Sequence, residues 1–197
     1  CDFGVNVPDS TVWRVDNDIN ERIDFVDKPN ESNDEITAIV NTQLQNFARL
    51  SRARFRARAQ TAECSGPVAC IRARSNGEEG GLCQQGFTAF VRVPGCGVGN
   101  NCEIILCEDN INAANPRWGL ATLDKVVAHE LGHAYSLAHP HASTGLSTLC
   151  SAGAFNSPLS PCPGGTSDAC EGELMCAAGN CGASAFVTDG DARGLRD

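Results

Sequence analysis

The sequence lacks two features that would point to membranes or to nucleic acids. It contains no apolar run of about 20 residues, the length that a transmembrane helix requires. Basic residues are in the minority, because 15 Lys and Arg stand against 24 Asp and Glu, and the net charge is −9. A chain of this charge is repelled by phosphate backbones and by anionic lipid headgroups. We therefore expect no membrane span and no nucleic-acid partner.

The chain also lacks an initiator methionine and an apolar leader, and Met175 is its only methionine. A secretory signal is an N-terminal apolar stretch that is absent from the mature protein. We interpret the sequence as a mature form from which a signal and any pro-segment have been removed.

Cysteine is abundant, but no paired C-x-x-C set of the kind that holds a structural metal is present. The 12 cysteines are an even number and are spread through loop-like segments. This density is typical of disulfide-bonded proteins in an oxidising compartment. We therefore predict a secreted, extracellular protein with about six disulfides. We favour Cys1 as a member of the sixth bridge, and the alternatives are a lipid-modified N-terminus and a latency ligand for a metal.

Histidine is scarce, but its distribution is informative. All four histidines lie between His129 and His141. His129 and His133 are four positions apart, so a helix would direct both imidazoles from one face towards a single metal ion. Glu130 lies about 100° further round such a helix, beside the metal, where it can accept a proton from a water molecule. The spacing therefore predicts a metal site with an adjacent general base.

A third imidazole would leave one coordination position open, as in catalytic zinc sites. His139 is the third ligand that we predict, and His141 is the alternative if the chain turns differently after the helix. Zinc held by three neutral imidazoles lowers the pKa of a bound water to about 7. Glu130 would act first as general base and then as general acid towards the departing amine.

Hydrophobic periodicity predicts one long helix from 32 to about 57, with apolar residues at three- and four-residue steps. Asn30, Ser32 and Asn33 are the candidates for its N-cap. The alternation within 52–59 predicts that the helix gives way to a strand there.

Strands are predicted from β-branched and aromatic runs, and the cysteine- and glycine-containing stretch 60–86 is predicted to be a disulfide-pinned loop. Within that loop we interpret Asn76–Glu79 as a solvated turn, and the alternative is a set of calcium ligands. The predicted strands are 10–16, 87–93 and 102–107.

The histidine motif ends a second predicted helix, for which Thr122 is the candidate N-cap. Its ligands and base would project from the side opposite an apolar face. Residues 140–197 are rich in Ser, Gly, Pro and Cys, and we expect them to form a loop-rich second subdomain after the first, residues 1–139. The apolar face consists of Leu123, Val126, Val127, Leu131 and Ala134.

The pattern His129-Glu130-x-x-His133-x-x-Ser136-x-x-His139 resembles the extended zinc motif of the metzincin metalloproteases. Members of that clan have Gly at the position of Ser136, where the chain turns towards the third ligand. The order of a strand, a long helix, further strands and a zinc helix is also similar, so the likeness covers most of the chain. The acidic residues near the C-terminus are similar to those at the end of matrixin catalytic domains. The proline directly after the third ligand is similar to that of serralysins.

The resemblance implies an α+β catalytic domain with a twisted mixed sheet, a long helix and an active-site helix, followed by a disulfide-stapled C-terminal subdomain with a terminal helix. It implies that Met175 lies in the methionine-containing turn beneath the metal. The tyrosine ligand of astacins and serralysins has no counterpart near Met175. We expect Tyr135, the only tyrosine, to serve in packing.

These expectations define a secreted, monomeric zinc endopeptidase with Glu130 as its base and a protein or peptide as its substrate. Zinc is the predicted cofactor, and calcium is the weaker alternative given above. The competing hypothesis is a catalytically silent binding module that keeps the metal fold. The retained Glu130 argues against that hypothesis, because a silent module has no use for a general base.

Overall fold

A computed structural model describes residues 10–27, 32–51, 56–66, 68–92, 102–113 and 118–135. This part of the chain contains five strands and six helices. The strands are β1 (Val12–Val15), β2 (Arg58–Thr61), β3 (Ala69–Arg74), β4 (Ala89–Arg92) and β5 (Cys102–Cys107). The helices are α1 (Ile19–Arg22), α2 (Asn33–Ser51), α3 (Asn76–Glu79), α4 (Gly81–Gln84), α5 (Glu108–Ala113) and α6 (Leu120–Ala134).

The five strands form one sheet in the order β2-β1-β3-β5-β4. β1 is parallel to β2 and to β3, and β3 is parallel to β5. β4 is antiparallel to β5 and forms one edge of the sheet. The described fold is therefore mixed α and β with a mostly parallel sheet, which is compatible with the predicted α+β class. The strands predicted at 10–16, 87–93 and 102–107 are confirmed as β1, β4 and β5.

The main hydrophobic core lies between the sheet and the two long helices, α2 and α6. Both helices contribute one apolar stripe, spaced at three and four residues, because only that spacing keeps side chains on one helical face. The sheet contributes Trp13, Val15, Ile71, Ile104 and Leu106; α2 contributes Ile36, Val40, Leu44 and Phe47; and α6 contributes Leu123, Val127, Leu131 and Ala134. Val126, which we predicted on the same face, is partly buried against this core.

Two disulfides join strands of the sheet to neighbouring segments. Cys83 on α4 is bonded to Cys107 at the end of β5, with the Cα atoms 5.3 Å apart. Cys64 is bonded to Cys70 on β3, with the Cα atoms 5.8 Å apart. Cys102 is also disulfide-bonded. These bonds are consistent with an extracellular protein.

The N-cap of α2 is Ser32, one of the three predicted candidates. Its Oγ accepts a hydrogen bond from the Glu35 N–H, and Glu35 Oε2 accepts one from the Ser32 N–H, at 3.3 and 2.6 Å. This reciprocal pair is a capping box. The predicted extension to 57 is wrong, because α2 ends at Ser51 and residues 56–57 are not helical. Among the helices that the structure describes, none combines the length and apolarity needed to cross a membrane.

Asn41 on α2 covers the free edge of β2. Its Oδ1 accepts a hydrogen bond from the Ala59 N–H at 2.8 Å, and its Nδ2 donates to the Ala59 carbonyl at 3.0 Å. β2 begins at Arg58, later than the alternation of 52–59 predicted. The side-chain amide therefore satisfies edge groups that another chain would otherwise pair with.

The prediction of a loop over 60–86 is wrong, because this stretch contains β3, α3 and α4. β3 is a central strand with Ala69, Ile71 and Ala73 buried on the core side. Arg72 and Arg74 alternate with them and are partly exposed. The flanking Gly and Cys residues obscured a short alternating strand, since their composition is typical of loops.

The prediction of Thr122 as the N-cap of the histidine-bearing helix is also wrong. The N-cap of α6 is Gly119, and the Thr122 N–H donates to the Gly119 carbonyl inside the first turn. Trp118 is 7% exposed, and its carbonyl accepts a hydrogen bond from the Val26 N–H at 2.8 Å. Burial of this tryptophan fixes the chain one residue before the N-cap, so the helix begins earlier than the capping preference indicates.

Candidate metal and catalytic site

The C-terminal half of α6 brings the two predicted histidine ligands together. The ring centroids of His129 and His133 are 4.8 Å apart, and the ring planes are inclined by 89°. Both side chains are partly buried. The spacing of four residues places them one turn apart on the same face of the helix. Two neutral imidazoles in this arrangement can provide two nitrogen ligands for one metal ion.

Glu130 lies between these histidines in sequence and is 6% exposed. Its Oε2 atom is buried and has no hydrogen-bond partner within the part of the chain that the structure describes. Burial raises the pKa of Glu130 to about 8, because the charged carboxylate loses its hydration. A hydrogen bond from the backbone of Val91 acts in the opposite direction and lowers this pKa.

The chemistry of these three side chains fits a zinc ion. A buried carboxylate with an unsatisfied oxygen costs free energy unless a cation or a donor compensates for it. A cation held by His129 and His133 would favour the charged form of Glu130 and would lower its pKa. The carboxylate could then accept a proton near neutral pH, as a general base must.

The edge strand β4 contributes a backbone hydrogen bond to the carboxylate of Glu130. Val91 pairs with Ile104 of β5 on one side. The backbone of Val91 forms a hydrogen bond to Glu130 on α6. The carboxylate of Glu130 therefore lies within hydrogen-bonding reach of an edge strand of the sheet.

The start and the end of α6 are both tied to other elements. Near its start, Gln43 Nε2 of α2 donates a hydrogen bond to Asp124 Oδ1. At its end, Trp13 Nε1 of β1 donates to the Tyr135 hydroxyl at 3.0 Å. Tyr135 also packs against the ring of Phe47 on α2. The prediction that Tyr135 serves in packing agrees with these contacts, and the hydrogen bond adds a polar tether.

A second group of candidate ligand atoms comes from Asp16, Cys64 and Cys70, within 4.8 Å of one another. The two sulfur atoms are bonded to each other, and a disulfide lacks the thiolate that binds metals. Arg72 Nε donates to Cys70 Sγ at 3.2 Å, and this guanidinium would repel a second cation. The chemistry of this group therefore does not favour a metal site.

The stretch considered for calcium, Asn76–Glu79, forms the short helix α3, with Ser75 as its N-cap in a capping box. Arg22 donates to both carboxylate oxygens of Glu78, at 2.8 and 3.0 Å. These bonds hold the pKa of Glu78 at about 2. The guanidinium already supplies positive charge at this carboxylate.

Several predicted residues lie outside the described part of the chain. They include the third ligand and its alternative, the turn residue between them and the helix, the methionine of the predicted turn and the N-terminal cysteine. The subdomain 140–197 lies outside it as well. These residues are His139, His141, Ser136, Met175 and Cys1.

Sequence reasoning missed two residues that contact the site or its helix, Val91 and Trp13. Val91 acts through its backbone, and a backbone group has no sequence signature. Trp13 lies 122 positions before Tyr135, and only the tertiary structure brings the two side chains together.

The chain was compared with protein-family models, with curated proteins and with solved structures, and none of the three comparisons finds a match.

Proposed function

We propose that this protein is a secreted zinc-dependent endopeptidase of the metzincin type. One observation carries the proposal: the buried glutamate Glu130, with one unsatisfied carboxylate oxygen, lies in sequence between two histidines whose ring centroids are 4.8 Å apart on adjacent turns of α6. A structural role gives no reason to bury a carboxylate with one oxygen unsatisfied, because the desolvation is unfavourable. General-base chemistry at a metal gives such a reason.

His129 and His133 would hold the zinc, and His139 is the third ligand that the motif implies. The zinc would supply Lewis-acid polarisation of the scissile carbonyl and would acidify a water molecule. Glu130 takes the proton from the attacking water at its carboxylate and later delivers it to the departing amine nitrogen. Met175 is proposed to support the metal site from a downstream turn.

The position of β4 supports a peptide as the substrate. An extended peptide can add to the edge of a sheet through main-chain hydrogen bonds. The edge strand β4 reaches Glu130 through the backbone of Val91. A peptide lying beside this strand would therefore have its main chain close to the proposed base.

Hydrolysis of casein, together with elemental analysis for zinc, tests the proposal. The wild-type protein is expected to contain zinc in an equimolar amount and to lose hydrolysis when a chelator removes it. Glu130→Gln is expected to keep the zinc and to lose at least about 100-fold in kcat/KM, the order that loss of a general base produces. Glu63→Gln is the matched control, since Glu63 is exposed in a loop.

Each outcome separates the hypotheses. Zinc without hydrolysis in the wild type would support the alternative of a silent binding module. Hydrolysis that survives both the chelator and Glu130→Gln would refute the proposed mechanism. Retention of zinc in His139→Ala, with its loss in His141→Ala, would show that His141 is the third ligand.

A further inference from the structure

We propose that Trp13 and Tyr135 are positioning residues of the metal site, which fix the last turn of α6 and with it the imidazole of His133. The inference rests on the proposed function, because it concerns the same metal. It assigns a role to a strand residue far from the motif in sequence and to a tyrosine within the motif that is not itself a ligand.

The contact is specific in its geometry. The indole N–H of Trp13 donates to the Tyr135 hydroxyl at 3.0 Å. The two rings meet edge to face, with centroids 6.4 Å apart and planes inclined by 69°. Phe47 of α2 contacts the same tyrosine, with ring centroids also 6.4 Å apart. Tyr135 is therefore held by the central part of the sheet and by the neighbouring helix.

The contact reaches the metal ligand through the helix backbone. Tyr135 is the C-cap of α6, and its N–H donates to the carbonyls of Leu131 and Gly132 at 3.0 and 3.1 Å. His133 lies inside this hydrogen-bonded turn. The end of a helix frays unless its last groups are anchored. Anchoring the phenol therefore restricts the rotation of the turn that carries His133.

The hydrogen bond matters because its donor has no access to water. Trp13 is 0% exposed. A buried indole N–H that loses its acceptor cannot be compensated by solvent, so the native arrangement is strongly preferred over a rotated helix end. A ligand that is already in position loses less freedom when the metal binds, and groups supporting metal ligands typically change metal affinity by about 10- to 100-fold.

Tyr135→Phe tests this role, because it keeps the aromatic ring and removes only the hydroxyl. We expect the dissociation constant for Zn²⁺, measured by competition with a chromophoric chelator, to rise about tenfold, the lower end of the range for such supporting groups. The visible absorption of the Co²⁺-loaded variant is expected to change in intensity, because it reports the geometry of the ligands.

Gln43→Met is the matched control. Gln43 is 7% exposed and donates the hydrogen bond that ties the start of α6 to α2. Both variants lose one side-chain hydrogen bond that anchors α6, and Gln43→Met also loses the one that Gln43 Oε1 accepts from Asn46 on α2, so both are expected to lower Tm. Only Tyr135→Phe is expected to weaken Zn²⁺ binding and to alter the Co²⁺ spectrum.

Unchanged Zn²⁺ affinity in Tyr135→Phe, or an equal loss in both variants, would overturn the inference. If Tyr135→Phe does not fold, Trp13→Phe removes the donor instead. Unchanged Zn²⁺ affinity in Trp13→Phe, or a loss equal to that in Gln43→Met, would then overturn the inference. The readout is metal affinity, so it holds even if the wild-type protein hydrolyses no peptide. Absence of hydrolysis would then refute the proposed function alone, and unaltered affinity would refute this inference alone.

Discussion

The backbone of Val91 on the edge strand β4 forms a hydrogen bond to the carboxylate of Glu130 on α6. This contact joins the sheet edge to the proposed general base. It also lowers the pKa of Glu130, against the rise that burial causes, because a donor to the carboxylate favours its charged form. Removal of this donor is therefore expected to disfavour the charged form of Glu130.

Val91→Pro is expected to lower the kcat/KM of peptide hydrolysis about tenfold, because proline has no backbone N–H to stabilise the charged base. Proline is tolerated on edge strands where its nitrogen does not serve the ladder. Val91→Ala is the control, since it shortens the side chain and keeps the N–H. Equal kinetics for the two variants would contradict a role for the backbone donor.

Removal of the Cys83–Cys107 disulfide by replacing both cysteines with Ala is expected to lower the free energy of unfolding by about 3 kcal/mol. The bridge closes a separation of 24 residues, against 6 for Cys64–Cys70. Chain entropy therefore predicts a smaller loss, about 2 kcal/mol, for the second pair. Urea unfolding of both double variants measures the two values, and a larger loss for Cys64–Cys70 would contradict the ordering.

The ion pair between Arg22 and Glu78 is expected to make stability depend on pH in the acid range. Hydrogen bonding to Arg22 lowers the pKa of Glu78 from 4.5 to about 2 in the folded state. A lowered folded pKa contributes stability above the unfolded pKa, and this contribution is lost as the pH falls from about 4.5 to about 2.

The effect is expected to be below about 1 kcal/mol, because the Glu78 side chain is 41% exposed and solvent screens the pair. Thermal unfolding of Glu78→Gln between pH 5 and pH 2 should therefore give a shallower decrease in Tm than the wild type does. Glu21→Gln, at an exposed position on α1, is the control. Parallel curves for the wild type and Glu78→Gln would refute the assignment.

Asn41→Leu is expected to lower the free energy of unfolding by about 1–3 kcal/mol, because the N–H and carbonyl of Ala59 both lose their partner. Asn41→Asp keeps the acceptor but sets a carboxylate against the Ala59 carbonyl, so it is expected to restore little. Gln45→Leu, at an exposed position of the same helix, is the control. Equal stability of Asn41→Leu and Gln45→Leu would show that the edge contact is unimportant.

Local sequence patterns predicted the strands and helices whose apolar residues follow one clear pattern. β5 was predicted with its observed bounds, because Cys102–Cys107 is an apolar run interrupted only by Glu103. The apolar stripe of α6 was predicted because its residues recur at helical steps. β3 was missed, since an alternating strand with Arg on its exposed side and Cys and Gly around it resembles a loop in composition. Gly119 was missed as the N-cap because burial of Trp118 outweighed the preference for Thr.

The sequence by itself determined that His129 and His133 share a helical face with Glu130 next to them, because the period of the helix follows from backbone geometry alone. It also determined that the apolar side of this helix faces a core. Only the tertiary structure decided that Glu130 meets the edge strand at Val91, and that Trp13 meets Tyr135. These contacts depend on strand order and register, which arise from pairing between distant segments and which local sequence does not encode.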